Sequence, residues 1–334
     1  MQSEEINYTI NNLSKNEKTK RSINSHKLNV IDIVKRKDNR MIAIIGPCSI
    51  HDLDVAKEYA ERLVQLHNKY CDKLYIIMRA YLEKPRTNVG WKGYLSDPDL
   101  NGSCDINKGL ANSLNLYNFI SDLGLPFGAE ILDPFAVPYF AEYLSWACIG
   151  ARTAESQIHR QIASDLSSAV GIKNNTDGNI DLAINAIKTA QQNHRYLGLT
   201  SECNVDIINT TGNNNCHLVL RGGKNAPNFS ISNINQATRS LLTNLCNSSI
   251  IVDCSHGNSN YSYERQSMVL KDIIEQRKSG NKSIIGFMLE SNIKPGKQNV
   301  PAIISNLQYG VSITDACIGF KETTELIKFV YNNI

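Results

Sequence analysis

Six cations of this chain stand at or just beyond the ends of short apolar runs: Arg79, Lys84, Arg86, Arg152, Lys173 and Arg221. Arginine grips a phosphate or carboxylate with two parallel N–H bonds, and lysine acts as a compact point charge. Six together suit a polyanionic ligand, or two anionic ligands side by side. A second set, Cys48, His256, Glu290 and, further on, Asp315, offers one sulfur, one nitrogen and two carboxylate donors. Such donors suit a divalent transition ion, Mn²⁺, Fe²⁺, Co²⁺ or Zn²⁺. The four are far apart in sequence, and Cys48 alone reads first as an ordinary buried cysteine. Glu130 ends another run and adds an acid among the cations.

The stretch YLEKPRTNVGWKG, residues 81–93, raises the question of what anion it serves. It carries Lys84, Arg86 and Lys92 in a segment broken by Pro85 and Gly90, which neither a helix nor a central strand would contain. It reads as a shaped loop that presents Lys84 and Arg86 to a phosphate.

The elements that must position these residues form a regular series. Eight apolar, β-rich runs occur: MIAIIGPCS (41–49), LYIIMRAY (74–81), PFGAEIL (126–132), WACIGAR (146–152), AVGIKN (169–174), HLVLRGG (217–223), SIIVDCSH (249–256) and SIIGFMLES (283–291). Amphipathic helical stretches such as 54–70 and 109–124 separate most of them. Continuous apolar strands alternating with helices indicate a parallel sheet covered on its outer face. Eight units predict a (β/α)₈ TIM barrel spanning 41–334, whose strand ends meet at one catalytic mouth. The eight runs end on Cys48, Arg79, Glu130, Arg152, Lys173, Arg221, His256 and Glu290. An open doubly wound sheet is the rival, but no GxGxxG turn follows the first strand. Residues 1–40 read as an N-terminal extension, either a frayed tail or an arm for a partner subunit. Residues 195–216 read as a β-hairpin inserted before strand six, regulatory, oligomeric or a plain surface loop.

Thirty-five Lys and Arg against 32 Asp and Glu leave a net charge of +3. That balance speaks against nucleic-acid and membrane-surface partners. No apolar run reaches the length of a membrane span, and the N-terminus lacks a signal-peptide core, so a cytoplasmic protein is expected. Nine scattered cysteines without a CxxC pair read as reduced thiols.

The segments IGPCSIHD, EKPRTNVGWKG, GARTAESQIHR, GIKNNTDG, LRGGK, VDCSHGNSN and SITDACIG run in order from about residue 41 to about 320. Through them the chain resembles the class I 3-deoxy-D-arabino-heptulosonate 7-phosphate (DAHP) synthases regulated by aromatic amino acids. The family condenses phosphoenolpyruvate with erythrose 4-phosphate and water and releases phosphate, the first step of the shikimate pathway. The resemblance implies one divalent metal ion held by Cys48, His256, Glu290 and Asp315. It implies that Arg79, Lys84, Glu130, Arg152, Lys173, Arg221 and the Ala151 backbone surround phosphoenolpyruvate. Lys84, Pro85, Arg86 and Thr87 would hold the aldose phosphate, with His256 and Asp315 also facing the substrates. Lys84, Glu130, Lys173 and His256 would form the catalytic set, with Glu130 and Lys173 managing the water and its proton. An effector pocket would come from Asp133–Tyr139, Ile162–Ser168 and residues near 195–210, with Asp133, Pro138, Ile162, Leu166 and Ser167 in contact. The wording of LDPFAVPYF, VDCSHGNSN and ESNI is nearest the tyrosine-sensitive members, so tyrosine is the favoured effector. A homodimer or homotetramer is implied. The chain departs from the family pattern at Ala154, Asn175 and Phe320, where Thr, Gly and Trp are common, and at Asp165 and Ala169, where Gly and Pro are. Other readings are a synthase using arabinose 5-phosphate, a metal-dependent aldolase, and a non-catalytic barrel that binds an amino acid.

Overall fold

The computed structural model describes residues 17–86 and 89–334. Its strands are β1 (Met41–Gly46), β2 (Leu74–Arg79), β3 (Phe127–Glu130), β4 (Trp146–Ile149), β5 (Ala169–Lys173), β6 (Arg195–Leu199), β7 (Val205–Asn209), β8 (Cys216–Leu220), β9 (Ile250–Asp253), β10 (Ile284–Asn292) and β11 (Ile318–Gly319). Eight of them pair in parallel in the order β1-β2-β3-β4-β5-β8-β9-β10. β10 then pairs back with β1, with Ile44 opposite Met288, which closes the barrel and rules out an open sheet. β11 adds only Ser291↔Ile318 and Asn292↔Gly319 to the end of β10. β1, β2, β8 and β9 are buried along their whole length, as strands between a packed interior and a shell of helices must be. That double burial explains why these strands read as unbroken apolar runs.

The helices are α1 (Glu17–Val34), α2 (Leu53–Lys69), α3 (Ile106–Asp122), α4 (Val137–Phe140), α5 (Gln157–Asp165), α6 (Asp181–Ala190), α7 (Ile231–Thr243), α8 (Gln266–Lys278) and α9 (Phe320–Asn333). Side-chain caps start several of them. Asp52 accepts from the N–H groups of Asp54 and Val55 at α2, and Ser156 and Ser230 begin α5 and α7.

The barrel interior is filled rather than hollow. A Cβ on Gly171 would lie 2.3 Å from Trp146 Cζ2, and one on Gly128 would lie 2.9 Å from Trp146 Cε3. These two glycines clear the space that the indole occupies. Trp146 Nε1 donates to His217 Nε2 at 3.1 Å, and burial pushes the His217 imidazole down to about 4, so it stays a neutral acceptor.

β6 and β7 form the antiparallel hairpin expected before the sixth barrel strand, with Leu197 opposite Ile207. In the extension, α1 packs on the chain's own barrel. Thr19 Oγ1 donates to Asp122 at 2.7 Å, Lys27 Nζ to Ser167 at 3.0 Å, and Asn247 Nδ2 to the Val34 carbonyl at 3.0 Å. These partners lie just ahead of β3, β5 and β9, so α1 crosses the end of the barrel where strands begin. The first sixteen residues of the extension lie outside the described part.

Candidate active site

Arg79, Glu130 and Lys173 end β2, β3 and β5 as expected, and Arg221 follows β8 directly. The other four expected strand-end residues sit elsewhere. Cys48, Arg152 and His256 lie two or three residues past β1, β4 and β9, and Glu290 lies inside β10, two residues before its end. The reasons are local. Pro47 has no N–H to continue β1, and His256 has φ 55°, a left-handed conformation that ends the extended chain.

All the same, these residues converge. One cavity of about 800 Å³ is lined by Arg79, Lys84, Pro85, Arg86, Glu130, Ala151, Arg152, Lys173, Arg221, His256 and Asp315. All six expected cations therefore face one space, and Lys224, which the sequence did not single out, joins them as a seventh. Thr87 lies outside the described residues. Glu290 is almost fully buried and meets an adjoining cavity of about 130 Å³, which His256 and Asp315 also line.

The loop after β2 is clamped at its base. Lys84 N–H donates to the Lys92 carbonyl at 2.9 Å, and Leu95 N–H to the Leu82 carbonyl at 3.2 Å. Gly93 has φ 118°, and a Cβ there would meet the Leu82 carbonyl oxygen at 2.4 Å, so only glycine closes this turn. The clamp carries Lys84 and Arg86 into the cavity, while Lys92 is not among its lining residues.

Donor atoms of Cys48, Glu290 and Asp315 lie within 4.8 Å of one another. His256 Nε2 is 3.6 Å from Glu290 Oε1, which brings the fourth expected ligand to the group. Lys84 Nζ sits 2.8 Å from Cys48 Sγ and 2.9 Å from Asp315 Oδ2, so these donors already gather about a positive charge. Buried Glu290 Oε1 lies 3.0 Å from Arg79 Nη2, yet no hydrogen bond satisfies it. An unsatisfied buried carboxylate oxygen beside a thiol, an imidazole and a second carboxylate is what a divalent ion would complete, and the residues fit one.

The charges respond to this crowding. Burial, with Glu290 adding to it, pushes the Cys48 thiol up to about 12. Burial alone would raise the Asp315 carboxyl, but Lys84 beside it holds it well below the usual carboxylate range.

Arg79 is buried and acts as a brace. Its Nη1 donates to the carbonyls of Pro47 and Cys48, and its guanidinium stacks 3.8 Å from the Tyr81 ring centroid. It thereby ties the strand-one loop carrying Cys48 to Glu290 on β10.

Asp253 belongs to the site although no motif singles it out. This fully buried carboxylate at the end of β9 accepts from Lys173 Nζ at 2.8 Å and lies 2.9 Å from His256 Nδ1. Lys173 was expected to work with Glu130; its charged hydrogen-bond partner in the structure is Asp253. The available signal was an acid inside the apolar run IIVDCS, three residues before the histidine. Of the departures from the family pattern, Asn175 lines the cavity, Ala154 is fully buried, and Phe320 packs edge-on against Tyr59 at 5.3 Å.

A second cavity, of about 450 Å³, opens on the side of the barrel beneath the hairpin. It is lined by Pro138, Ile162, Leu166 and Ser167 together with Tyr196, Leu197 and Leu199 of β6. Asp133, expected there, instead lines a small cavity with Glu83 and Glu130.

A closed (β/α)₈ barrel whose mouth gathers seven cations beside a Cys/His/Glu/Asp donor set defines an enzyme class that handles phosphorylated anions beside a metal ion. The model of the DAHP synthetase I family matches residues 12–328, and the chain belongs to that family. It is 45% identical over 305 residues to the Tyr-sensitive phospho-2-dehydro-3-deoxyheptonate aldolase of Escherichia coli (strain K12), covering 91% of this chain and 85% of that one. To the Phe-sensitive protein of the same organism it is 45% identical over 302 residues, 90% of this chain and 86% of that one. The structure of phospho-2-dehydro-3-deoxyheptonate aldolase from Francisella tularensis SCHU S4 superposes with a TM-score of 0.96 at 38% identity, covering 100% of this chain and 98% of that one.

Proposed function

We infer that the chain condenses phosphoenolpyruvate with erythrose 4-phosphate and water to give DAHP and phosphate, the entry step of aromatic biosynthesis. The observation that carries this is the convergence of the expected cations on one cavity, with a Cys/His/Glu/Asp donor set gathered at its edge, in a member of this family. Arg152, Lys173 and Arg221 hold phosphoenolpyruvate, and Lys84 and Arg86 on the clamped loop hold the aldose phosphate. Two separated anion sites keep the phosphates apart while the reacting carbons meet. C3 of phosphoenolpyruvate attacks the aldehyde carbon, and water adds at C2 as positive character develops there. The resulting hemiketal phosphate loses phosphate by C–O cleavage. Glu130, on the cavity wall, moves the proton of that water, and Lys173 on the same wall steadies the charge. Cys48, His256, Glu290 and Asp315 would hold the divalent ion, which would supply Lewis-acid polarisation of the aldehyde oxygen. Mn²⁺, Fe²⁺, Co²⁺ and Zn²⁺ all suit this donor set.

The test is a discontinuous assay of the purified protein with both substrates, before and after chelation. DAHP formation should vanish with chelator and return with Mn²⁺. Absence of product with every divalent ion would sink the reading in favour of a non-catalytic barrel. Product from arabinose 5-phosphate, and none from erythrose 4-phosphate, would move it to the related synthase.

A second reading concerns control. The apolar cavity of about 450 Å³ beneath the hairpin suits the ring of an aromatic amino acid, with Ser167 and Asp165 at its wall for the polar end. Relatives named Tyr-sensitive and Phe-sensitive support an aromatic effector, and tyrosine is favoured by wording. A homodimer or homotetramer in the cytoplasm completes the proposal.

A further inference from the structure

We propose that Asp253 is a positioning residue that makes the metal site and the phosphoenolpyruvate site bind cooperatively. The inference rests on the reading above, in which His256 is a metal ligand and Lys173 meets phosphoenolpyruvate. The two oxygens of Asp253 have different duties. Oδ1 is clamped, accepting from Ser255 N–H at 3.0 Å and Ser255 Oγ at 2.6 Å. Oδ2 is shared, with Lys173 Nζ at 2.8 Å and His256 Nδ1 at 2.9 Å. The carboxylate is fully buried, so water does not replace either partner.

This sharing has two consequences. First, a carboxylate beside Nδ1 keeps the imidazole proton there and leaves the Nε2 lone pair facing Glu290 Oε1, 3.6 Å away. That is the tautomer and orientation a metal-ligating histidine needs, and outer partners of this kind tune ligand strength. Ser255 Oγ, 2.7 Å from the same Nδ1, braces the ring from a second side. Second, the two donors compete for one oxygen. An anion that draws Lys173 Nζ toward the cavity leaves Oδ2 to His256, and a more firmly held imidazole is a better ligand. Phosphoenolpyruvate thus tightens metal binding, and by linkage the metal tightens phosphoenolpyruvate by the same factor. Neither residue touches the other directly; the buried carboxylate is the shared part.

The experiment measures Mn²⁺ binding to the chelator-stripped enzyme by calorimetry, with and without phosphoenolpyruvate. Wild type should bind Mn²⁺ more tightly when phosphoenolpyruvate is present. Asp253→Asn should fold with a native circular dichroism spectrum and bind Mn²⁺ roughly 10- to 100-fold more weakly. In that variant phosphoenolpyruvate should no longer change Mn²⁺ affinity, a loss that a merely structural defect would not single out. Ser255→Ala keeps the carboxylate but loosens its clamp. It should show a smaller change in the same direction, and it decides the matter if Asp253→Asn does not fold. Mn²⁺ affinity equal to wild type, or an undiminished response to phosphoenolpyruvate, in the folded variant overturns the proposal. A wild-type protein that binds Mn²⁺ without any response to phosphoenolpyruvate overturns the coupling alone. One that binds no Mn²⁺ overturns the metal reading and this inference with it.

Discussion

Residue 150 is glycine because of a neighbouring side chain, not because of its own backbone. A Cβ there would lie 2.0 Å from Glu130 Oε1 and 2.9 Å from its Cδ. Gly150→Ala should therefore push the Glu130 carboxylate aside while leaving the strand intact, since the clash falls on the far end of a flexible side chain. If Glu130 moves the proton of the attacking water, kcat should fall by up to the roughly 10²- to 10⁴-fold that a positioned acid or base contributes. The melting temperature should change little. A Gly150→Ala enzyme with wild-type kcat would remove Glu130 from the chemistry. Arg79, Glu130, Lys173 and Arg221 were legible because each stands out at the end of an apolar run, whereas grouping Cys48, His256, Glu290 and Asp315 needed the resemblance. Asp253 was not legible, because a fully buried acid inside IIVDCS looks like an interruption of a strand until its partners are seen. Its partner Lys173 lies 80 residues away, and nothing in spacing joins them.

Among the elements, the barrel strands were readable and the ends of several were not. Parallel strands buried on both faces announce themselves as apolar runs, but where the chain leaves the sheet depends on proline, glycine and left-handed residues in the loops. The helix of the extension was harder still, because the buried positions of α1 include Thr19 and Lys27 beside Ile23, Val30 and Ile33, so its apolar stripe is broken. Its docking carries a pH dependence. His26 Nδ1 lies 2.6 Å from the Tyr75 hydroxyl and its Nε2 3.3 Å from Ser22 Oγ, with the His67 ring 6.1 Å away and Arg40 over the Tyr75 ring. Burial, and then His67, lowers His26 from 6.5 to about 4. For a base whose folded value is depressed, the detached state takes up the proton first. Stability is present above 6.5 and is lost as pH falls from 6.5 toward 4. At pH 5 the loss reaches up to about 2 kcal/mol. Hydrogen exchange, corrected for intrinsic rates, should show α1 amides losing protection between pH 7 and pH 5 while β1 and β2 keep theirs. Equal protection of α1 at both values would mean that His26 does not govern its docking.

For the whole molecule, the decisive feature is the separation of two cavities on one barrel. The mouth is lined by cations with His256 and Asp315, whereas the cavity beneath the hairpin is mainly apolar and has acids, Glu142 and Asp165, among its lining residues. The barrel itself was legible from eight repeating units; the cavity shared by the hairpin, α4 and α5 was expected only through the resemblance, because spacing alone does not join such distant segments. Lys27 of α1 reaches Ser167 on the wall of this cavity, so the extension and the cavity share a side chain contact. If the cavity takes an aromatic amino acid, added tyrosine should lower the rate of DAHP formation, and phenylalanine should do so less. Ser167 is exposed at the cavity wall, so Ser167→Phe can fill the space without forcing a large ring into the core. Relative to its own uninhibited rate, this variant should need at least about tenfold more tyrosine for half-inhibition, equivalent to about 1.4 kcal/mol of lost binding. The measurement is a tyrosine titration of both proteins at fixed substrate concentrations. An enzyme indifferent to both amino acids, or a Ser167→Phe variant inhibited as readily as wild type, would show that this cavity is not where control is exerted.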